Sequence, residues 1–245
     1  MKKVIACSVA AASFAFGASD AQILELFSAA KDQGLSVTID SKTKVADGKF
    51  EQIVVKISDG SQSQNQVLFS DGKYLFPDII DTDKKLSYAN EFNDQNEKAQ
   101  MKAGYKKLAE VIKSLDKSKI ITLGNDPAKA TKYLFTDPLC PYCRLELADI
   151  EKELETSNLK VILAPIQSHG IEAVKKSIAI MNEVKDLKSD SDKIKVFRKY
   201  FAEDAKTPTG ISDEQVKKEQ KNIMRYFETG AIRGVPAFVN ESDLK

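Results

Sequence analysis

The residues whose spacing carries most chemistry are Cys140 and Cys143, in the run Asp137-Pro138-Leu139-Cys140-Pro141-Tyr142-Cys143-Arg144. A disulfide between thiols this close removes little entropy from the unfolded chain, so it is a poor staple. The pair is better suited to taking up and releasing two electrons. If a helix begins at Cys140, its unpaired N–H groups and the positive end of its dipole stabilise a thiolate there. Pro141 suits the first turn because it has no N–H to lose. Cys143 then lies one turn deeper on the same face, within reach of a mixed disulfide. An exposed Cys140 is the expected attacking thiol and Cys143 the resolving one. The chemistry needs no cofactor and no metal.

A competing use of the pair is half of a zinc site. Zinc usually takes four ligands, and beyond residue 17 the chain offers only the two cysteines and His169, twenty-six residues past Cys143. Two chains could still pool their thiolates. His169, between Ser168 and Gly170, reads as a loop or cap residue, because a helix terminus can make the thiolate without a separate base. With side chains turned toward Cys140, Arg144 would add positive charge there and Asp137 would oppose it.

The elements that must position the pair follow from periodicity. Ile120 to Leu123 and Lys132 to Thr136 are strand candidates, the second running into the cysteine motif. One helix is expected after Cys140, with Leu145, Ala148, Ile150 and Leu154 on its apolar side. The unalternated run Leu159 to Ala164 predicts a strand buried on both faces, as in a parallel sheet under helices. Helical patterns cover Ile171 to Val184, Lys193 to Phe201 and Asp213 to Phe227, the last opened by a Ser212/Gln215 capping box. Gly234-Val235-Pro236-Ala237-Phe238-Val239 reads as a strand entered through a proline.

The preceding half is different. Ser19 or Asp20 can cap a helix from Ala21 to about Lys31. Short apolar alternations follow at Leu35 to Ile39, Phe50 to Ile57, Gln66 to Ser70 and Tyr74 to Phe76. Asp47-Gly48, Asp59-Gly60 and Asp71-Gly72 lie between them, so a small antiparallel sheet is expected. Residues 18–88 are close to the lower size limit for a self-sufficient core, and a second copy of the chain is the simplest partner. Met101, Tyr105, Leu108, Ile112 and Leu115 form one stripe, predicting a linker helix within residues 89–118.

Met1, Lys2 and Lys3 precede an uncharged run from Val4 to Phe16, too short to span a bilayer. With small residues near Gly17, residues 1–17 read as a secretory signal peptide. Acylation at Cys7 would leave too short an apolar run before it, so Cys7 is expected to leave with the leader. Export places the chain in an oxidising compartment. Of 245 residues, 37 are basic and 36 acidic, and loss of Lys2 and Lys3 leaves 35 basic residues, a net charge of about −1. No strongly basic domain stands out for nucleic acid, and no Gly-rich loop stands out for phosphate.

Cys140-Pro141-Tyr142-Cys143, followed ninety-three residues past Cys143 by Pro236 in Gly234-Val235-Pro236, resembles the thioredoxin-like fold. More narrowly it is similar to periplasmic thiol:disulfide interchange proteins of the DsbC/DsbG type. The resemblance implies an α+β N-terminal dimerisation domain, then an α/β thioredoxin-like domain over 119–245 with a helical insertion at 171–229. It implies a cis bond before Pro236 and a substrate-binding surface at Val235, Pro236 and Tyr142, with Val235 pairing with client backbone. It also implies a V-shaped homodimer in the periplasm, unfolded or misfolded exported proteins as clients, and a membrane redox partner that recharges the pair. Ser70-Asp71-Gly72-Lys73-Tyr74-Leu75-Phe76 resembles the end of the dimerisation domain. Two departures stand out. Val235 lies where the isomerase type more often has Thr and is similar to the monomeric oxidase of the DsbA type. Only Ala237 to Lys245 follow Pro236, where the family places a further strand and a closing helix, so truncation at Lys245 is expected.

The leading expectation is a disulfide oxidoreductase, acting as isomerase or oxidase. The alternatives are a dimeric chaperone that binds unfolded proteins, a DsbA-type oxidase, and a maturation reductase with one client. Pro141 and Tyr142 put no charge or imidazole between the cysteines, which predicts a less oxidising pair than one with an intervening His.

Overall fold

The computed structural model describes residues 19–60 and 63–245. The expected leader, with Cys7, lies outside the described residues. The chain divides into two compact units between Glu97 and Lys98.

The first unit opens with α1 (Asp20–Glu25), capped by a reciprocal box between Ser19 and Gln22, and α2 (Ser28–Asp32). One continuous helix was expected here. The break at Leu26 and Phe27 leaves Leu26 exposed while Leu24, Phe27 and Ala30 all pack on the same small core. Four antiparallel strands follow in the order β1-β2-β3-β4: β1 (Ser36–Val45), β2 (Phe50–Ser58), β3 (Ser63–Ser70) and β4 (Leu75–Phe76). The Asp-Gly signals fall between these strands. Gly48 and Gly72 take φ of +81° and +102°, and Asp71 Oδ1 accepts the N–H groups of Lys73 and Tyr74. A register shift near Asp40 lets β1 run six residues further than the apolar alternation suggests. Ile23, Val37, Ile53 and Val55 are the fully enclosed centre of this core.

A two-stranded ribbon, β5 (Ile80–Asp81) with β6 (Leu86–Ser87), leads into α3 (Tyr88–Lys113). Asp78 ties them together: Oδ2 accepts the Ser87 hydroxyl at 2.8 Å and Oδ1 the Ala89 N–H at 2.9 Å. That anchoring starts the helix at Tyr88, thirteen residues before Met101, the first residue of the apolar stripe.

In the second unit, the end of α3 buries Leu108, Ala109 and Ile112. A four-stranded sheet has the order β10-β8-β9-β7, from β7 (Ile121–Leu123), β8 (Ala130–Thr136), β9 (Ser157–Leu163) and β10 (Ala237–Asn240). β8 and β9 are parallel, while β7 and β10 are antiparallel to their neighbours. β9 is enclosed on both faces, as its unalternated sequence requires. Between β8 and β9 run α4 (Pro141–Ala148) and α5 (Ile150–Thr156), where a single helix was expected. Between β9 and β10 come α6 (Gly170–Val184), α7 (Asp190–Phe201) and α8 (Asp213–Glu228), whose Ser212/Gln215 box forms as read. Their apolar faces join the sheet in one core that includes both cysteines. Where Gly104 of α3 meets the chain after α8, a Cβ would lie 2.9 Å from the Ala231 nitrogen, so only glycine fits. Among the described residues no helix is long and apolar enough to cross a membrane.

Candidate active site

β8 delivers the chain to the cysteine motif, and Asp137-Pro138-Leu139 turns it into α4. Asp137 Oδ1 accepts the Leu139 N–H at 2.8 Å, and its carbonyl accepts the Cys140 N–H at 3.1 Å. Cys140 is the N-cap residue, with extended backbone angles, and its carbonyl accepts the Arg144 N–H. Pro141 occupies the start of the helix, where its missing N–H costs nothing.

Cys140 departs from expectation in one respect. It was expected to be exposed, yet only 5% of its surface is accessible, because its Sγ lies 3.5 Å from the Val235 carbonyl and donates to it. The Val235–Pro236 bond is cis. The Val235 carbonyl, ninety-five residues from Cys140 in the chain, thus stands over the thiol, with Pro236 next in sequence. Tyr142, the third expected substrate contact, is 71% exposed, with Leu145, three residues on, also open to solvent. Both cysteines are free thiols.

Cys143 lies deeper, 1% accessible, with Leu147, Ile150, Phe197 and Phe201 around it. Burial pushes its thiol from 9.0 up to about 12, against the opposing pull of the Thr136 hydroxyl and the Asp137 amide, and neighbouring Cys140 adds to the rise. The pair is therefore asymmetric. One sulfur sits at a helix N-terminus under a backbone carbonyl, and the other is held protonated in an apolar shell.

The charged neighbours also have definite directions. Arg144 turns away along the surface, its Nε donating to the Phe201 carbonyl at 2.7 Å and its guanidinium 3.2 Å from Glu203. Asp137 is fully buried; its Oδ2 accepts the Ile166 N–H at 2.9 Å and lies 2.7 Å from His169 Nδ1. His169 is the N-cap residue of α6, as a loop or cap residue was expected to be, and it also meets Asp137. Arg198 of α7 reaches the Leu147 and Ala148 carbonyls and Glu151, closing the C-terminal end of α4. Neither His169 nor Arg198 was legible as a partner of the motif, because both contacts join distant segments. Among the described residues no three His, Cys, Asp or Glu side chains converge as metal ligands.

DsbG of Helicobacter pylori has a solved structure that matches 87% of this chain and 97% of its own, at 19% identity and a TM-score of 0.51. The fold is thioredoxin-like. A thioredoxin-like sheet here carries the cysteine pair, and α6 to α8 form its helical insertion. A linker-deletion variant of Proteus mirabilis ScsC covers 61% of this chain and 77% of its own at 21% identity, with a TM-score of 0.47. A thiol-disulfide exchange protein of Wolbachia pipientis covers 58% and 87% at 14% identity, with a TM-score of 0.41. No protein family and no curated protein matches the sequence.

Proposed function

We propose that this chain is a periplasmic thiol:disulfide oxidoreductase that exchanges disulfides with exported proteins through Cys140 and Cys143. The observation that carries this reading is the meeting of Cys140 Sγ, at the start of α4, with the Val235 carbonyl beside a cis proline. In the reducing direction the Cys140 thiolate attacks a client disulfide, forming a mixed disulfide and releasing one client thiolate. Cys143 then gives up its proton and attacks Cys140 Sγ. The second client thiolate leaves, and two electrons have passed to the client. If the mixed disulfide is instead resolved by another client thiol, the client is isomerised and the pair stays reduced. Run backwards from a Cys140–Cys143 disulfide, the same steps oxidise a client dithiol, and a membrane redox partner restores the starting state.

Val235, Pro236 and Tyr142 supply the client surface in this reading. The backbone at Val235 suits an extended peptide held by strand-type hydrogen bonds, and the exposed Tyr142 ring suits an apolar side chain. The thin core of the first unit supports a homodimer, since burying its exposed Leu26, Tyr74 or Ile80 against a second copy would add apolar burial it lacks. Those same side chains favour the second reading, a dimeric chaperone for unfolded chains. Cys140→Ser separates the two: exchange is abolished under the first reading, while full suppression of aggregation survives under the second.

The direction of exchange is tested by giving the protein reduced unfolded substrate and scrambled-disulfide substrate in separate incubations. Recovery of the scrambled substrate without added oxidant supports isomerase, and acceleration of the reduced substrate alone supports oxidase. No effect on either would sink the reading.

A further inference from the structure

Asp137 holds the cysteine motif at several points. Its carbonyl accepts the Cys140 N–H, its amide bonds the Cys143 sulfur, and its fully buried carboxylate accepts Leu139 N–H on one oxygen and Ile166 N–H on the other. Two backbone donors do not satisfy a buried carboxylate, which has about four lone-pair sites and pays heavily for every unmet one. The remaining polar contact is His169 Nδ1, 2.7 Å from Oδ2. His169 ends a short 3-10 turn over Gln167–His169 and is followed by Gly170 at φ +63°, a conformation that lets the chain turn into α6 with the imidazole left behind on Asp137. The ring keeps about a quarter of its side-chain surface open to solvent.

We infer that His169 is a positioning residue for the redox pair: its Nδ1–H completes the hydrogen bonding of the buried Asp137 carboxylate, and through Asp137 it sets the reactivity of both cysteines. An ionised carboxylate can only accept, so the imidazole proton must sit on Nδ1. Without that donor the buried carboxylate is less compensated, three residues before a sulfur that must itself become negative. The thiolate at Cys140 is then disfavoured, and with it the dithiol form relative to the disulfide. This inference rests on the oxidoreductase reading for its effect on exchange, but the contact itself does not.

The test is the redox equilibrium of the full mature chain with glutathione, for the wild type, His169→Ala, His169→Asn and His169→Gln. The Asn amide can take the place of Nδ1–H, whereas the longer Gln amide reaches the place of Nε2. The equilibrium should move about tenfold or more toward the disulfide in His169→Ala and His169→Gln, which is about 30 mV for this two-electron couple. His169→Asn should stay within about threefold of the wild type. An unchanged equilibrium in His169→Ala, or an Asn variant displaced as far as the Ala variant, overturns the inference. If His169→Ala does not fold, the Asn and Gln variants decide it by the same comparison. A wild type that never exchanges with glutathione defeats the oxidoreductase reading instead. The contact is then judged by the ring nitrogen resonances of the chain's single histidine. A proton held on Nδ1 supports it, and free exchange between the two tautomers overturns it.

Discussion

Replacing Cys140 by Ser leaves the buried thiol of Cys143 as the last cysteine beyond the expected leader, and its reactivity can be worked out from its surroundings. Burial is the largest cause of that thiol's rise from 9.0 to about 12 in the wild type and it persists when the smaller contribution of Cys140 is removed, so at pH 8 the thiolate population of the variant falls by up to about a thousandfold. A more basic thiolate is also a better nucleophile, with a Brønsted slope of about 0.4 to 0.5, which returns a factor of roughly 15 to 30. Titration alone should therefore slow alkylation by about 30- to 60-fold against a thiol at 9.0, and the 1% accessibility of Cys143 slows it further. The assay is the rate of reaction of Cys140→Ser with iodoacetamide between pH 7 and 11, followed by intact mass. The rate should rise about tenfold for each pH unit with no plateau in that range. A plateau below pH 10, or a rate at pH 8 equal to that of a short cysteine peptide, would refute the assignment of Cys143 as a buried, protonated resolving thiol. A linked effect has a definite sign. Because the folded-state value is the raised one, the reduced wild type keeps this contribution to stability below about pH 9 and loses it as pH rises toward 12.

Three further outcomes follow from the packing and the caps. Gly104→Ala should lower thermal stability by about 1 to 3 kcal/mol, because the new Cβ would press on backbone atoms of Thr229 and Ala231 rather than on a movable side chain; an unchanged melting curve contradicts this. Burial alone would raise the Asp78 carboxyl, but the Ala89 N–H and the Ser87 hydroxyl outweigh it and hold it below its ordinary value. Its contribution is therefore present above the unfolded-state value of 3.8 and lost as pH falls through the lower folded value. Asp78→Ala should cost about 1 kcal/mol near neutrality and raise amide exchange at Ala89, an effect that disappears in acid. Arg198→Ala should loosen the end of α4, visible as faster amide exchange in α4 and α5 and a loss of roughly 1 kcal/mol; protection at wild-type level would mean the guanidinium is not a cap.

The cysteine motif was readable because its signals are local. An apolar strand, a turn, and a proline tolerated at the first helical position define a strand-to-helix junction within about a dozen residues. β9 was readable for a similar reason, since a strand covered on both faces loses its alternation. What escaped the sequence depends on residues far apart in the chain. Cys140 is covered by Val235, and Asp137 is met by His169, with no periodicity linking either pair. The break between α4 and α5 falls where Arg198 arrives from α7, a contact that local propensity cannot carry. The anchor of α3 has the same origin: the helix is held at its start by Asp78, a contact that the apolar stripe, which begins only at Met101, does not carry. β10 begins at Ala237 rather than Gly234, because the Pro236 ring has no N–H to give the ladder.

The central claim is that Cys140 forms the bond to the client and Cys143 resolves it. Cys143→Ser should therefore trap a client with a disulfide partner as a stable mixed disulfide at Cys140, identified by peptide mass after non-reducing separation. Cys140→Ser under the same conditions should trap none. Adducts on Cys143 in the second variant, or no adduct in either, would contradict the account.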